Sequence, residues 1–228
     1  MMNTMGLLFL ALTLILYLLC KKLFLRTQKI ILSPIILVSL LSIAVLVIFD
    51  RPYAEYHMYN QYLVAMLGPV TVAFAIPMYN YRAVIQQHFK VLLLSSCIAM
   101  FVGVFSSWLF AIYFDFDTVL TNSLLARSIS IPFALALTEQ IGGSISLVPL
   151  FTVITGLVGM IVGDLVLLAL RFNHYLANGA AWGNAAHAMG IACAQQRHPQ
   201  EAVIASLSMI VSGIMMVLFG PFLIGLCL

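Results

Sequence analysis

The run from Val91 to Phe114 carries no charged residue, and it limits what this chain can fold into more than any other feature. A helix of that length crosses the roughly 30 Å hydrocarbon layer of a bilayer with some tilt. In lipid, a helix also keeps all of its own backbone groups paired. Similar runs cover Met5 to Cys20, Ile30 to Phe49, Ile145 to Leu170 and Ala202 to Leu226. Composition agrees: 64% of residues are hydrophobic and 7% charged, with mean hydropathy +1.13, whereas soluble domains carry about a quarter charged residues. The chain is therefore predicted to be an all-α, polytopic transmembrane helix bundle, with the lipid bilayer as its first partner. The net charge of +3 sits in short basic stretches between apolar runs, so no nucleic-acid partner is expected. Cys20, Cys97, Cys193 and Cys227 lie in or beside apolar segments without metal-type spacing. They read as buried free thiols rather than a disulfide framework or a metal site.

Charge placement orients the segments. Lys21, Lys22, Arg26 and Lys29 follow the first apolar run instead of preceding it. That order argues for a retained helix with its N-terminus outside, not a signal peptide. The second run returns outward to Asp50–Asn60, expected to be a polar, tyrosine-rich interfacial loop. These two helices are expected to be scaffold or subunit contact. In the third segment, Gln61 to Met78, Pro69 and Pro77 each remove a donor and crowd the preceding turn. With Gly68 beside the first proline, this segment is expected to be kinked or broken. Tyr79 to Lys90, carrying Arg82 and Lys90, is placed inside.

Two stretches are too polar and too interrupted to be ordinary spans. In Thr118 to Ser144, Arg127 lies near the middle and Pro132 follows it. Pro132 is expected to push Ile131 out of helical geometry and to open a new half-helix. Gly142 and Gly143 are expected to close it. A positive dipole end, Ser128, Ser130 and Arg127 would then converge on one place, an arrangement that attracts anions. The other reading is a proline kink whose arginine snorkels to the surface. The second stretch runs from Leu176 to Pro199. On a helix, Gly179, Gly183, Ala186, Gly190 and Ala194 would form one nearly side-chain-free stripe open to close backbone approach. Asn184 and His187, three apart, would project together. Ionisable residues set in apolar sequence mark a site by default, although a tight crossing with a satisfied polar pair would also place them there.

The unit of interrupted stretch plus glycine-bearing helix recurs. Gly156 aligns with Gly213 and Gly163 with Gly220, and such internal repeats point to a transporter site. Two topologies remain: six full spans plus two re-entrant hairpins, or eight spans. In the first, every basic residue except Arg51 and Arg127 is cytoplasmic; in the second, Arg171 also moves outside. The charge rule thus favours re-entry slightly, and both place the C-terminus outside.

Three motifs in order, Leu67-Gly-Pro-Val-Thr-Val-Ala-Phe-Ala-Ile-Pro-Met-Tyr79, Arg127-Ser-Ile-Ser-Ile-Pro-Phe-Ala134 with Glu139-Gln-Ile-Gly-Gly143, and Gly183-Asn-Ala-Ala-His-Ala-Met-Gly190, resemble the LrgB/CidB family. The resemblance covers roughly residues 60 to 226. The family's usual Pro-Lys-Ser-Val-Thr-Thr-Pro stands here as Ala126-Arg-Ser-Ile-Ser-Ile-Pro132, which keeps the charge and the break. The usual Gly-Thr-Ala after the histidine motif stands as Gly190-Ile-Ala192. Members were named as antiholin-like regulators of murein hydrolase export and cell lysis. A related plastid protein, with LrgA-like and LrgB-like parts fused, exports glycolate and glycerate, and bacterial members have been linked to uptake of pyruvate or other small carboxylates.

The resemblance implies a multi-pass protein of the bacterial cytoplasmic (inner) membrane, with an LrgA-like small membrane protein, a second copy of itself, or both, as partners. Combined with the residues, it suggests two scaffold helices over 1–60 and a transport core over 61–228. The core is expected to move small carboxylates, with coupling to protons or sodium left open; the alternative is an antiholin-like regulator. The expected substrate-binding residues are Arg127, Ser128, Ser130, Pro132, Asn184 and His187. Close packing or hinge roles are expected for Gly68, Pro69, Pro77, Gly142, Gly143, Gly183 and Gly190. No nucleophile–base arrangement is visible, so neither catalytic residues nor a cofactor are expected.

Overall fold

The computed structural model describes residues 4–27, 32–171 and 174–226. Lys29, the start of the second apolar run at Ile30, and Cys227 lie outside them. Among the described residues there are helices and turns and no strand. Among the described residues, five helical stretches are long and apolar enough to cross a membrane. Cys20, Cys97 and Cys193 are free thiols, with Cys20 buried.

The chain forms two compact units, Met1–Pro69 and Val70–Leu228. In the first, α1 (Thr4–Thr27) packs against α2 (Pro34–Ile48) and α3 (Tyr53–Ala65). The Thr13 hydroxyl lies 3.2 Å from the Tyr56 hydroxyl, and the Phe9 and Tyr56 rings meet edge to face. The expected polar loop at Asp50–Asn60 is thus mostly helix. Only Asp50 to Pro52 stay non-helical, with Asp50 left-handed at φ 47°. Tyrosines at that spacing build a helix face as readily as a loop once α1 offers a surface.

The proline-bearing segment breaks as expected, three residues ahead of each proline. Helix α3 stops before Met66, α4 spans Leu67–Ala73, and α5 spans Ala75–Asn80 beyond Phe74. Each proline deprives the carbonyl four residues earlier of its donor and crowds the preceding turn, which explains both positions.

In the second unit, α6 (Arg82–Tyr113) runs through most of the polar stretch placed before Val91, with non-helical dihedrals only at His88. The chain continues through α7 (Thr118–Leu125), a 3-10 turn (Ala126–Ser128), α8 (Ile131–Ile141), α9 (Leu147–Leu170), α10 (Tyr175–Arg197) and α11 (Pro199–Gly225). Helix α11 is more enclosed than any other span-length helix. Its Met209, Ile210, Met216 and Ile224 form one core with Leu125, Ile129, Phe133 and Leu137 from the first interrupted stretch.

Both interrupted stretches turn back on themselves. In the first, the Asn122 amide donates to the Ile141 carbonyl at 2.6 Å, and the Ser144 amide donates to Ser123 Oγ at 2.7 Å. The two ends therefore lie together and the turn lies between them. In the second, His187 at φ 52°, ψ −128° breaks α10 into two halves. Residues eight apart on a continuous helix are separated by about 12 Å, yet a Cβ on Gly190 would run into the Trp182 carbonyl.

Helix α9 relates the two reversals. The first opens beside the start of α9, where Ser144 is held. The second opens further along, where Arg197 pairs with Asp164 at 3.5 Å and with Glu201 of α11 at 3.5 Å. Their tips meet beside the middle of α9, where Gly156 faces Ala186 and Met189.

The expected single glycine stripe does not exist as one face. A Cβ on Gly179 or Gly183 would strike α11 at Glu201, Ile204 and Ala205, whereas Gly190 faces the first half of its own helix. The break at His187 divides the stripe between two partners.

Candidate functional site

Helix α7 is capped by Asp117, whose carboxylate accepts from the Leu120 amide at 2.8 Å. After Leu125 the chain tightens to 3-10 geometry, then extends at Ile129 (φ −138°, ψ 171°) and Ser130 (φ −67°, ψ 149°) before α8 begins. The extended residues are thus Ile129 and Ser130. Ile131, expected to be non-helical, is the first residue of α8, with Pro132 next. A proline there removes an amide that has no intrahelical partner in any case. Gly142 ends α8 in the left-handed region at φ 78°, and its amide donates to the Thr138 carbonyl. Apolar neighbours hold this turn. Leu125, Ala126 and Ile129 are buried, so Arg127 points the other way.

Arg127 is partly buried, and its Nη1 donates to Thr155 Oγ1 of α9 at 2.9 Å. The Thr155 hydroxyl in turn donates to the Phe151 carbonyl at 2.7 Å. Arg127 Nε is shielded from water and has no hydrogen-bond partner among the described residues. A guanidinium cannot shed its charge, so unfilled donors in apolar surroundings favour an anion. The neighbouring Ser128 side chain presses on α6, where a Cβ at Gly103 would lie 2.6 Å from Ser128 Oγ.

At the other tip, His187 is 4% exposed; its ring lies close enough to the Ser128 backbone for a weak, poorly aligned hydrogen bond, and no well-formed partner meets either ring nitrogen among the described residues. The Ser128 backbone and the Arg127 guanidinium are among its neighbours. Asn184, one turn earlier, also keeps its side-chain oxygen unpartnered. A non-glycine residue at φ 52°, ψ −128° is strained, and the packed neighbours on both sides hold it there.

The two tips face one cavity of about 620 Å³. Arg127, Ser128, Thr155, Asn184 and His187 give it polar lining, and Val91, Ile98, Ala99, Val102, Ala177, Ala180 and Ala181 give it apolar lining. Ser95 and Ser106 of α6 add hydroxyls. No acidic side chain is among the described residues lining it. Such a cavity can hold a small organic anion. The guanidinium supplies charge, the imidazole, amide and hydroxyls can donate, and the walls suit a short carbon skeleton.

The structure thus brings together Arg127, Ser128, Asn184 and His187. It leaves Ser130 and Pro132 outside the cavity lining. The Ser130 hydroxyl is buried without a partner at the start of α8, because the chain extends for two residues after the 3-10 turn and carries both away from the wall. Gly143 packs against Ser123 and Thr138, and Gly183 and Gly190 make the close approaches described above. Gly142 acts through its left-handed backbone. A Cβ on Gly68 would meet nothing within 4 Å among the described residues, so this glycine permits no close contact. Pro69 and Pro77 act through the breaks they impose. Thr155, Ser95, Ser106 and Gly103 were missed. A lone threonine or glycine in an apolar helix carries no signal until its neighbour is known.

Comparison with known proteins places these features in a lineage. Residues 13–226 match the pattern of the LrgB-like family. The chain is 32% identical to the Bacillus subtilis protein YwbG over 96% of its own length and 97% of that protein. It is 30% identical to a Haemophilus influenzae protein over 86% of its own length and 85% of that protein. It is also 29% identical to "Holin-like protein CidB" of Staphylococcus aureus, covering 96% of each chain. No solved structure gives a significant match. The matched region takes in both reversals, their tips and most of unit Met1–Pro69, and this membrane protein belongs to the LrgB-like family.

Proposed function

We propose that this chain is a transporter of small carboxylates, of the pyruvate, glycolate, glycerate and lactate class, in a bacterial cytoplasmic membrane. The reading rests on one observation: Arg127, with unfilled guanidinium donors, and the buried His187 come from two separate chain reversals and line one cavity with no carboxylate among its described lining residues. Each reversal is read as a re-entrant hairpin, the two entering from opposite faces, with the substrate held between the tips near mid-membrane. The cavity binds and moves its ligand without chemistry. His187 contacts the substrate carboxylate or carries a coupling proton, and an LrgA-like small membrane protein or a second copy covers the outer apolar faces.

Uptake of radiolabelled pyruvate, glycolate and lactate into proteoliposomes, with and without a pH gradient, tests this. Arg127→Gln is expected to abolish uptake, and Arg127→Lys to retain part of it, because the charge survives while the planar fork is lost. Equal uptake by wild type and Arg127→Gln removes the arginine from the site.

A second reading is favoured by the holin-like name of the staphylococcal relatives. An oligomeric regulator of murein hydrolase export would act by permeabilising or gating the membrane. It would release trapped dye from vesicles without distinguishing carboxylates. Saturable, selective uptake without dye release excludes it.

A further inference from the structure

Thr155 lies on α9, outside both interrupted stretches, and touches the most exposed charge question of the site. Its hydroxyl proton is committed to the Phe151 carbonyl at 2.7 Å. The oxygen therefore faces Arg127 only as an acceptor, and it takes the Nη1 donor at 2.9 Å. Arg127 has no other hydrogen-bond partner among the described residues, and its long side chain would otherwise sample many rotamers. Thr155 lines the same cavity as the guanidinium. One N–H is thus occupied by a fixed neutral acceptor and the Nε–H is shielded, while the Nη2 pair and the second Nη1 hydrogen remain for a ligand.

We propose that Thr155 is the positioning residue of the anion site: it orients Arg127 so that the remaining guanidinium donors meet a carboxylate. This rests on the transport reading above and adds to it a residue on a third element. The ligand class recognised is an organic anion small enough for the cavity, and the hydroxyl acts through the arginine without touching the ligand.

The experiment compares wild type, Thr155→Val, Thr155→Ser, Arg127→Gln and the Thr155→Val/Arg127→Gln double variant in proteoliposomes with radiolabelled pyruvate. Valine keeps the branched shape and the helix, so folding is expected to survive. In Thr155→Val, KM is expected to rise about ten-fold or more with a smaller change in maximal rate, because a hydrogen bond to a charged group is lost. Thr155→Ser is expected to stay within about two-fold of wild type, as the hydroxyl is retained. The double variant is expected to match Arg127→Gln, because positioning has no effect without the group positioned.

In parallel, phenylglyoxal modification of Arg127, followed by mass spectrometry of its peptide, reads the orientation without any transport. Thr155→Val is expected to speed it several-fold, and Thr155→Ser is expected to leave it unchanged. The inference is overturned if Arg127→Gln loses uptake while Thr155→Val keeps wild-type KM, or if Thr155→Val binds pyruvate more tightly. It is equally overturned if serine fails to restore what valine loses, or if the modification rate is indifferent to valine. Unimpaired uptake by Arg127→Gln, by contrast, overturns the transport site itself.

Discussion

His187 joins two demands that seldom fall on one residue: a side chain set at the cavity and a backbone at φ 52°, ψ −128°. Glycine tolerates that region and other residues are strained there. His187→Gly is therefore expected to be more heat-stable in detergent than His187→Ala by about 1 kcal/mol, while both lose pyruvate uptake. Scanning fluorimetry of the two variants checks the order. An alanine variant as stable as the glycine variant would show that the strain is absent or relieved elsewhere. The chain keeps histidine despite this strain, which is best understood if the ring itself is needed. The sequence marked His187 by its type and surroundings. It did not mark the turn, because histidine at a tip has no helix-breaking signature of its own and Gly190, three residues on, is the nearer breaker.

At the scale of elements, glycines that look alike do different things. Gly183 lies against the Ala205 backbone of α11, and even a methyl group would overlap its carbonyl oxygen. Gly183→Ala is expected to destabilise by about 1–3 kcal/mol, as overpacking in tight sites does. Gly68 has open space around it apart from the adjoining Pro69, whose ring crowds a Cβ on the preceding helical residue, so Gly68→Ala is expected to cost less than Gly183→Ala, about 1 kcal/mol or under. Melting of both variants in the same detergent measures the contrast, and equal melting points would remove the distinction. Proline acted more legibly. Pro69 and Pro77 break the chain where their missing donors require it, and Pro132 sits in the first turn of α8, where its missing donor does no harm. The glycine stripe misled because periodicity assumes a continuous helix, and the turn at His187 ended that continuity.

Across the second unit, α9 serves as the post along which the two reversals approach each other, and α11 packs against both. If the second reversal re-enters rather than spans, its two ends lie on one side of the membrane. In a background lacking Cys20, Cys97, Cys193 and Cys227, single cysteines at His174 and His198 are expected to react with an impermeant maleimide from the same side of oriented vesicles. Labelling from opposite sides would establish a span and remove the hairpin reading. The offset that aligns Gly156 with Gly213 also aligns Ser130 with His187, so the two breaks occupy matching places along the chain.

The sequence alone determined that this is a helical membrane protein, roughly where its long apolar helices lie, which two stretches are interrupted, and that Arg127, Asn184 and His187 are polar groups set in apolar surroundings. Those features are local: apolar length, proline chemistry and ionisable groups in apolar surroundings need no partner to be read. Only the tertiary structure decided that the two stretches turn back, that their tips share a cavity, that Ser130 and Pro132 stand apart from its lining, and that Thr155 holds the arginine. The physical reason is that a close backbone approach or a hydrogen bond between helices depends on register between segments far apart in the chain. A threonine in an apolar run, or a glycine on a helix, looks the same in sequence whether it faces lipid, a neighbouring carbonyl or a buried guanidinium.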